Sequence, residues 1–242
     1  MNNHQELRPK GLSIHKSASL FKAGCAIALA LFLGGCAKDH RRSLPYDAWS
    51  LNFFTPDYME AWIETADVVD INEHVFRGAG SGIPAMGYPR ALSKGIPSEF
   101  RGKPAGWREN PGGKGRYVRG ADLPRLVYVR WQSMAEPQTY EAYIEITESV
   151  RQLMRNREDV FCAFDGKVIT DYRELLVVGL APGGIAKVWV KGPCLKAIEV
   201  TRVQGTISPE GPYRGQSGGA YYPLLEESNA YIDKFGIPYG SW

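Results

Sequence analysis

Histidine, cysteine and long apolar stretches are all scarce in this sequence, and each scarcity argues against a class of function. Only His40 and His74 follow the N-terminal 35 residues, and His40 lies in a short polar stretch, so histidine-based acid–base catalysis would fall on His74 alone. Only two cysteines follow residue 36, without nearby histidines, which makes a poor zinc site. No apolar run reaches the roughly 20 residues that a transmembrane helix needs.

Net charge is also absent once the N-terminal segment is set aside. The formal charge of the 242 residues is +3, but the first 35 residues hold four of the 29 basic residues and one of the 26 acidic residues. The remainder is therefore neutral, which removes the electrostatic basis for general binding to nucleic acid. Hydrophobic residues make up 44% and charged residues 23%, values typical of a globular protein of one or two domains.

The first 36 residues have the organisation of a secretory signal. Four basic residues precede an apolar run over residues 23–33, which ends in Leu33-Gly34-Gly35-Cys36. This ending resembles the bacterial lipobox, in which the cysteine thiol is acylated and the preceding residues are removed. The alternative is an ordinary signal peptide with an incidental cysteine. Ala37, in place of an aspartate, resembles the pattern that directs Gram-negative lipoproteins to the outer membrane.

These features predict the location of the protein and the first part of its domain organisation. We expect a signal peptide over residues 1–35 and an acylated Cys36 that begins a tether ending at residue 45. Two or three acyl chains make a stable membrane anchor, whereas a single chain does not. The sequence therefore predicts a lipoprotein of the outer membrane that faces the periplasm.

The two cysteines of the mature chain, Cys162 and Cys194, are expected to form a disulfide. The periplasm is oxidising, so disulfides persist there. A bridge across 32 residue steps would stabilise the fold by roughly 3–4 kcal/mol in the chain-entropy model. The alternative is a pair of buried free thiols.

Residues 46–242 are expected to form a single β-rich domain. Apolar and polar residues alternate over residues 49–53, 59–64 and 140–146, as in half-buried strands. Pro182-Gly183 is typical of a tight turn between two further strands, and residues 147–157 and 225–235 have helical spacing. We therefore expect an α+β fold, an antiparallel sheet or sandwich with two short helices.

Residues 78–120 interrupt this pattern and predict one long Gly/Pro-rich loop. The segment contains a cluster of six basic residues between residues 101 and 119 and a tryptophan, Trp107. Arginine and tryptophan are over-represented among the residues that dominate protein interfaces, and loops on β scaffolds often carry recognition. We expect a contact surface for a partner that includes four residues of this loop: Arg101, Trp107, Arg108 and Arg116. The alternative is that the loop only covers one face of the sheet.

The remaining chemical motifs argue against catalysis, metal binding and a cofactor. Gly215-Gln216-Ser217-Gly218-Gly219 matches Gly-x-Ser-x-Gly, but no histidine follows Ser217, and we interpret the segment as a glycine-rich turn. Six residues could contact a cation but match no metal motif, so we interpret them as a solvent-exposed face: Glu60, Glu64, Asp67, Asp70, Glu73 and His74.

Three sequence blocks carry a resemblance to a family. They are Ala121-Asp122-Leu123-Pro124, the segment Val129-Arg130-Trp131-Gln132-Ser133 with Glu136-Pro137-Gln138, and the segment 179–184 with Lys187-Val188-Trp189-Val190. From about Tyr46 to the C-terminus the chain resembles a group of Gram-negative lipoproteins known only as a domain of unknown function. Lipoproteins of this kind are sometimes encoded beside toxic type VI secretion effectors, including phospholipases, and act as periplasmic immunity proteins.

Three classes of function follow. A protein-binding module, such as an immunity protein against a secreted effector, fits the anchor, the long loop and the absence of a catalytic set. A structural or ligand-binding lipoprotein of the envelope is the alternative. An enzyme, for which a serine hydrolase would be the candidate, fits poorly.

Overall fold

Two five-stranded β-sheets form the framework of the protein in the computed structural model, which describes residues 44–88 and 106–242. The strand order of the first sheet is β11-β10-β9-β1-β4. Its strands are β1 (Ser50–Phe54), β4 (Lys114–Tyr117), β9 (Leu175–Ala181), β10 (Ile185–Lys191) and β11 (Ile198–Gln204). The order of the second sheet is β12-β6-β5-β2-β3. Its strands are β2 (Ala61–Asp70), β3 (Val75–Gly82), β5 (Pro124–Ser133), β6 (Gln138–Glu145) and β12 (Thr206–Ile207).

A separate hairpin and two short helices complete the described part of the chain. The hairpin consists of β7 (Arg157–Cys162) and β8 (Lys167–Tyr172). The helices are α1 (Glu148–Arg155) and α2 (Glu226–Phe235), and a 3-10 helix covers Pro212–Gly215. Neighbouring strands are antiparallel except β1 and β9, which are parallel. The predicted β-rich α+β fold with antiparallel sheets and two helices is therefore confirmed.

The core lies between the two sheets and follows the alternation in the sequence. Inward-facing side chains of both sheets belong to one buried cluster that includes Leu51, Phe53, Ile63, Val127, Val129, Trp131, Val178 and Val188. The outer face of β1 is also covered, because Phe54 packs with Val177 and Trp189 on that side of the first sheet. All five residues of β1 are consequently buried.

The two sides of this sandwich differ. On one side β11 continues into β12 through Gly205, so the same segment passes from the first sheet to the second. A Cβ atom at Gly205 would lie 2.8 Å from the Trp131 ring, which explains the glycine at this crossing. On the opposite side β3 and β4 are the outer strands of their sheets within the described residues. We call this pair of strands, Val75–Gly82 and Lys114–Tyr117, the open edge.

The prediction of a loop without regular structure over residues 78–120 is wrong at both ends. Residues 78–82 belong to β3, and residues 114–117 form β4. The glycines that suggested a loop allow close packing instead, because a Cβ at Gly80 would lie 2.5 Å from the Phe53 ring. A Cβ at Gly115 would clash with the Leu51 carbonyl oxygen. Glycine in a strand marks such close approaches.

The predicted disulfide is present and holds the β7–β8 hairpin. Cys162 ends β7 and is bonded to Cys194, with 5.2 Å between the two Cα atoms. An isolated two-stranded hairpin is marginally stable in water, so this bridge and its 32-residue separation matter to the hairpin in particular. Within the described ranges, neither helix combines the length and the apolar character needed to cross a bilayer.

Candidate functional site

Two basic side chains of β4 lie over the gap between the sheets at the open edge. In the β1–β4 pair, Lys114 is opposite Phe53 and Arg116 is opposite Leu51. Directly opposite residues of an antiparallel pair share one face of the sheet, and Phe53 and Leu51 face the core. Lys114 and Arg116 therefore lie on the inner face of the first sheet. An Nη2 atom of Arg116 lies 3.4 Å from Ser81 Oγ on β3, so this side chain bridges the two sheets.

A small cavity opens between the same two strands. Its volume is about 120 Å³, with Phe53 and Ile63 among its apolar lining residues and Ser81, Lys114 and Arg116 among its polar ones. Small-molecule sites in proteins measure roughly 300–1,000 Å³. This cavity can therefore hold one side chain of a partner, but it is too small for a typical metabolite.

The open edge carries unpaired positive charge. Lys114 and Arg116 on β4 are exposed, as is Arg119 two residues beyond the strand, and no described carboxylate forms an ion pair with any of the three. Arg77 on β3 is also exposed and lies 3.8 Å from Asp67. Exposed cations that are not neutralised attract an anionic surface and accelerate association with it.

The same charges determine which strand could add to this edge. Inward-pointing charges and β-bulges protect natural edge strands from unspecific pairing, and the β2–β3 pair contains two register shifts. An apolar strand added beside β4 would bury Lys114 and Arg116 without partners, which is unfavourable. A strand with carboxylates would supply those partners. The edge therefore disfavours apolar strands and favours an acidic one.

The predicted contact residues of the loop do not form one surface. Trp107 packs on the outer face of the first sheet, with its ring centroid 5.3 Å from that of Trp189 and 6.5 Å from that of Phe54. It lies directly over Gly179, where a Cβ would approach its ring to 2.6 Å. This position supports the alternative that this part of the loop covers the sheet.

The arginines of the predicted contact set have separate positions. Arg108 lies 3.3 Å from Asp57 and forms an ion pair with it, whereas Arg116 is at the open edge. Arg101 and the predicted acylation site Cys36 lie outside the described residues. Lys114 is absent from the predicted contact set, because only the strand conformation of β4 places it on the same face as Arg116.

The interpretation of the acidic residues as a solvent-exposed face is wrong for Glu60 and Asp70, which are buried, and for Glu64, whose side chain is only 8% exposed. Asp70 accepts backbone N–H bonds from Asn72, His74 and Asp122 at 2.8, 2.9 and 3.1 Å. Asp70 therefore orders the turn after β2 and connects this turn to Asp122, which belongs to the first of the three sequence blocks.

A polar network replaces solvent on the outer face of β2 and β5. Arg130 Nε lies 2.7 Å from Glu64 Oε2, and Gln132 donates to Glu64 Oε1 at 3.0 Å. Residues 208–242, which we call the C-terminal arm, cover this pair. The Tyr213 N–H donates to Glu64 at 2.7 Å, and Arg130 donates to Ser208 Oγ and to the Gly211 carbonyl oxygen.

Glu60 is a second buried carboxyl under the C-terminal arm, and only 3% of its surface is exposed. Neither carboxyl oxygen is within hydrogen-bonding geometry of a described group, although Ser228 on α2 lies close enough to favour the ionised form. Burial raises the pKa of Glu60 to about 7, and nearby Glu227 contributes to the increase. This carboxyl therefore stabilises the fold best when it is protonated.

Ser217 and His74 have contacts in different regions. The Ser217 hydroxyl donates to the Pro212 carbonyl oxygen at 3.3 Å, within its own turn. His74 Nδ1 lies 3.4 Å from Asp70 Oδ2, beyond the C-terminal end of β2. Within residues 44–88 and 106–242, no three His, Cys, Asp or Glu side chains converge as metal ligands would.

The second and third sequence blocks meet at the turn between β9 and β10. Glu136 accepts the Gly183 N–H at 2.7 Å and the Tyr239 hydroxyl at 2.7 Å. Trp242 donates from Nε1 to the Pro182 carbonyl oxygen at 2.8 Å. These blocks therefore have structural roles, in fastening the C-terminal arm to the two sheets.

Comparison with known proteins gives one match. Residues 36–240 match the model of a family described as "Protein of unknown function (DUF2931)". No curated protein and no solved structure is similar enough to match the chain.

Proposed function

The chain belongs to the DUF2931 family of proteins of unknown function, and we propose that it is a membrane-anchored lipoprotein that binds a partner protein at its open edge. Cys36 carries the lipid anchor, and the protein faces the periplasm from the outer membrane. The partner supplies an extended acidic segment. Protection against a secreted effector, as an immunity protein, is the form of this function that the resemblance to Gram-negative lipoproteins implies.

One observation carries this proposal: the exposed cations Lys114 and Arg116 have no ion-pair partner among the described residues and lie on β4, which, like β3, is an outer strand of its sheet within the described chain. Strand addition uses the backbone of such an edge for affinity and adjacent pockets for specificity. The small cavity between β3 and β4 can take one side chain of the added segment. Its volume favours this partner over a free metabolite, and so favours a protein-binding role over a ligand-binding one.

Binding, and not catalysis, is the activity we propose. The contacts of Ser217 and His74 support it, because each side chain is engaged within its own turn and neither lies at the open edge. A serine nucleophile needs a base within hydrogen-bond reach of its hydroxyl.

The proposal predicts that reversing two charges of the open edge abolishes binding. The partner is first captured from envelope extracts on the purified mature protein and then titrated with variants. Lys114→Glu/Arg116→Glu should weaken the complex at least about tenfold, because carboxylates of the partner would then face carboxylates. Wild-type affinity should also fall between about 50 and about 200 mM salt, since exposed charges are screened.

A matched control reverses two exposed charges elsewhere. Lys196→Glu/Arg214→Glu makes the same change in net charge away from β3 and β4 and should leave the affinity within about twofold of wild type. Equal loss of affinity in both double variants would mean that only net charge matters, and an unchanged affinity in Lys114→Glu/Arg116→Glu would refute binding at the open edge.

A further inference from the structure

The tip of the β7–β8 hairpin presents three apolar side chains to solvent. Phe161 and Val168 are directly opposite each other, and 61% and 64% of their surfaces are exposed. Phe164 lies in the turn between the strands and is 99% exposed. The turn itself is ordered, because the Cys162 carbonyl oxygen accepts N–H bonds from Asp165 and Gly166 at 3.1 and 2.8 Å. Contiguous exposed apolar groups of this kind mark contact surfaces.

Contacts at the tip and near the base hold the hairpin in place. The disulfide fixes Cys162 to Cys194, and the Cys194 N–H donates to Asp171 Oδ2 on β8 at 2.9 Å. Glu158 on β7 forms an ion pair with buried Arg173, just beyond β8. The hairpin therefore does not fold back to bury Phe164, and its apolar groups remain available to an occupant.

The described chain begins beside the base of this hairpin. The ring of Tyr46 lies 5.6 Å from that of Tyr172, which is paired with Arg157 where the hairpin begins. Only eight residue steps separate Leu44 from Cys36, a reach of up to about 28 Å. The six-residue strands of the hairpin span about 20 Å. The tether is thus long enough for the tip to contact a bilayer that holds an acyl group on Cys36.

We propose that Phe161, Phe164 and Val168 contact the lipid bilayer in which Cys36 is anchored. This inference rests on the anchoring in the proposed function. Asp165 and Lys167 at the tip have opposite charges, so the contact is apolar and does not require anionic lipid. The anchor and the hairpin tip together give the protein two points of contact with the membrane, and so a defined orientation on it.

Photo-crosslinking tests this contact in the full-length protein in cells. A benzophenone amino acid replaces Phe164 in one variant and Tyr143, which is 65% exposed on β6 of the second sheet, in the control. We expect phospholipid adducts at position 164 in at least about tenfold excess over position 143, and a loss of that excess when Phe161→Ser and Val168→Ser are added. Equal yields at the two positions, or adducts at position 164 only with another protein or with this chain itself, would overturn the inference.

Acylation is measured in the same cells and separates this inference from the anchoring on which it rests. Metabolic labelling with a palmitate analogue should mark the wild-type protein but not Cys36→Ser. A labelled protein without lipid adducts at position 164 overturns the hairpin contact alone. An unlabelled wild-type protein overturns the anchoring, and the hairpin inference with it.

Discussion

Replacing Arg130 by methionine should lower the free energy of unfolding by about 3–5 kcal/mol, the largest effect that we expect of a single substitution. Arg130 is almost fully buried, and its Nε lies 2.7 Å from the buried carboxylate of Glu64. Methionine fills much of the same volume but leaves that carboxylate without its cation. Urea denaturation of the mature protein measures the change.

Two further variants test whether the destabilisation arises from the loss of the Arg130–Glu64 ion pair. Arg125→Met removes an exposed arginine that pairs with exposed Glu73, and we expect it to cost less than about 1 kcal/mol. Arg130→Met/Glu64→Gln removes both charges, and the amide oxygen that replaces the carboxylate can still accept the Tyr213 N–H, so much of the stability should return. If Arg130→Met were no more destabilising than Arg125→Met, the polar network of Arg130 and Glu64 would not hold the C-terminal arm in place.

Raising the pH from about 5 to about 8 should destabilise the wild-type protein relative to Glu60→Gln by up to about 3 kcal/mol. The folded-state pKa of Glu60 is raised to about 7, above the ordinary range for glutamate. At a pH between the ordinary pKa of glutamate and the raised pKa of Glu60, the folded state keeps a proton that the unfolded state has lost. Stability therefore falls as the pH rises through this window and levels off above about pH 7.

The difference between the two proteins isolates this one carboxyl from other groups that titrate. Glutamine at position 60 cannot ionise, so the variant should gain stability at pH 8 and little at pH 5. Exposed Glu145→Gln serves as the control and should keep the wild-type pH profile. Parallel profiles for wild type and Glu60→Gln would show that Glu60 ionises in the folded protein at no cost.

Local patterns in the sequence were sufficient for much of the fold. The turn at Pro182-Gly183 joins β9 and β10 as predicted, and Gly183 has the positive φ, 79°, that this turn requires. Helix α2 ends at Phe235 and is followed by Gly236, whose φ is 72°, as the glycine after the helical pattern indicated. The conformation of this turn and of this helix end depends on residues that are adjacent in the sequence, so local sequence patterns predict both.

Features that depend on distant residues were not predicted. Glu64 is buried because Tyr213, 149 positions later, covers it, and no local pattern in β2 distinguishes a solvent-exposed carboxylate from a covered one. Strand β4 has the sequence Lys114-Gly115-Arg116-Tyr117, without apolar alternation, and is a strand because it pairs with buried β1. Of the candidate contact residues, Arg116 lies at the open edge, whereas the tryptophan that suggested a contact anchor packs against Trp189 of its own chain.

Amide hydrogen exchange of the complex tests most directly whether the open edge is the binding surface. Strand addition forms new backbone hydrogen bonds, so amides at that edge should exchange more slowly in the complex. We expect protection in Val75–Gly82 and Lys114–Tyr117, with exchange in β11 and β12 on the opposite side unchanged. Protection confined to other elements, with β3 and β4 exchanging as in the free protein, would contradict binding at the open edge.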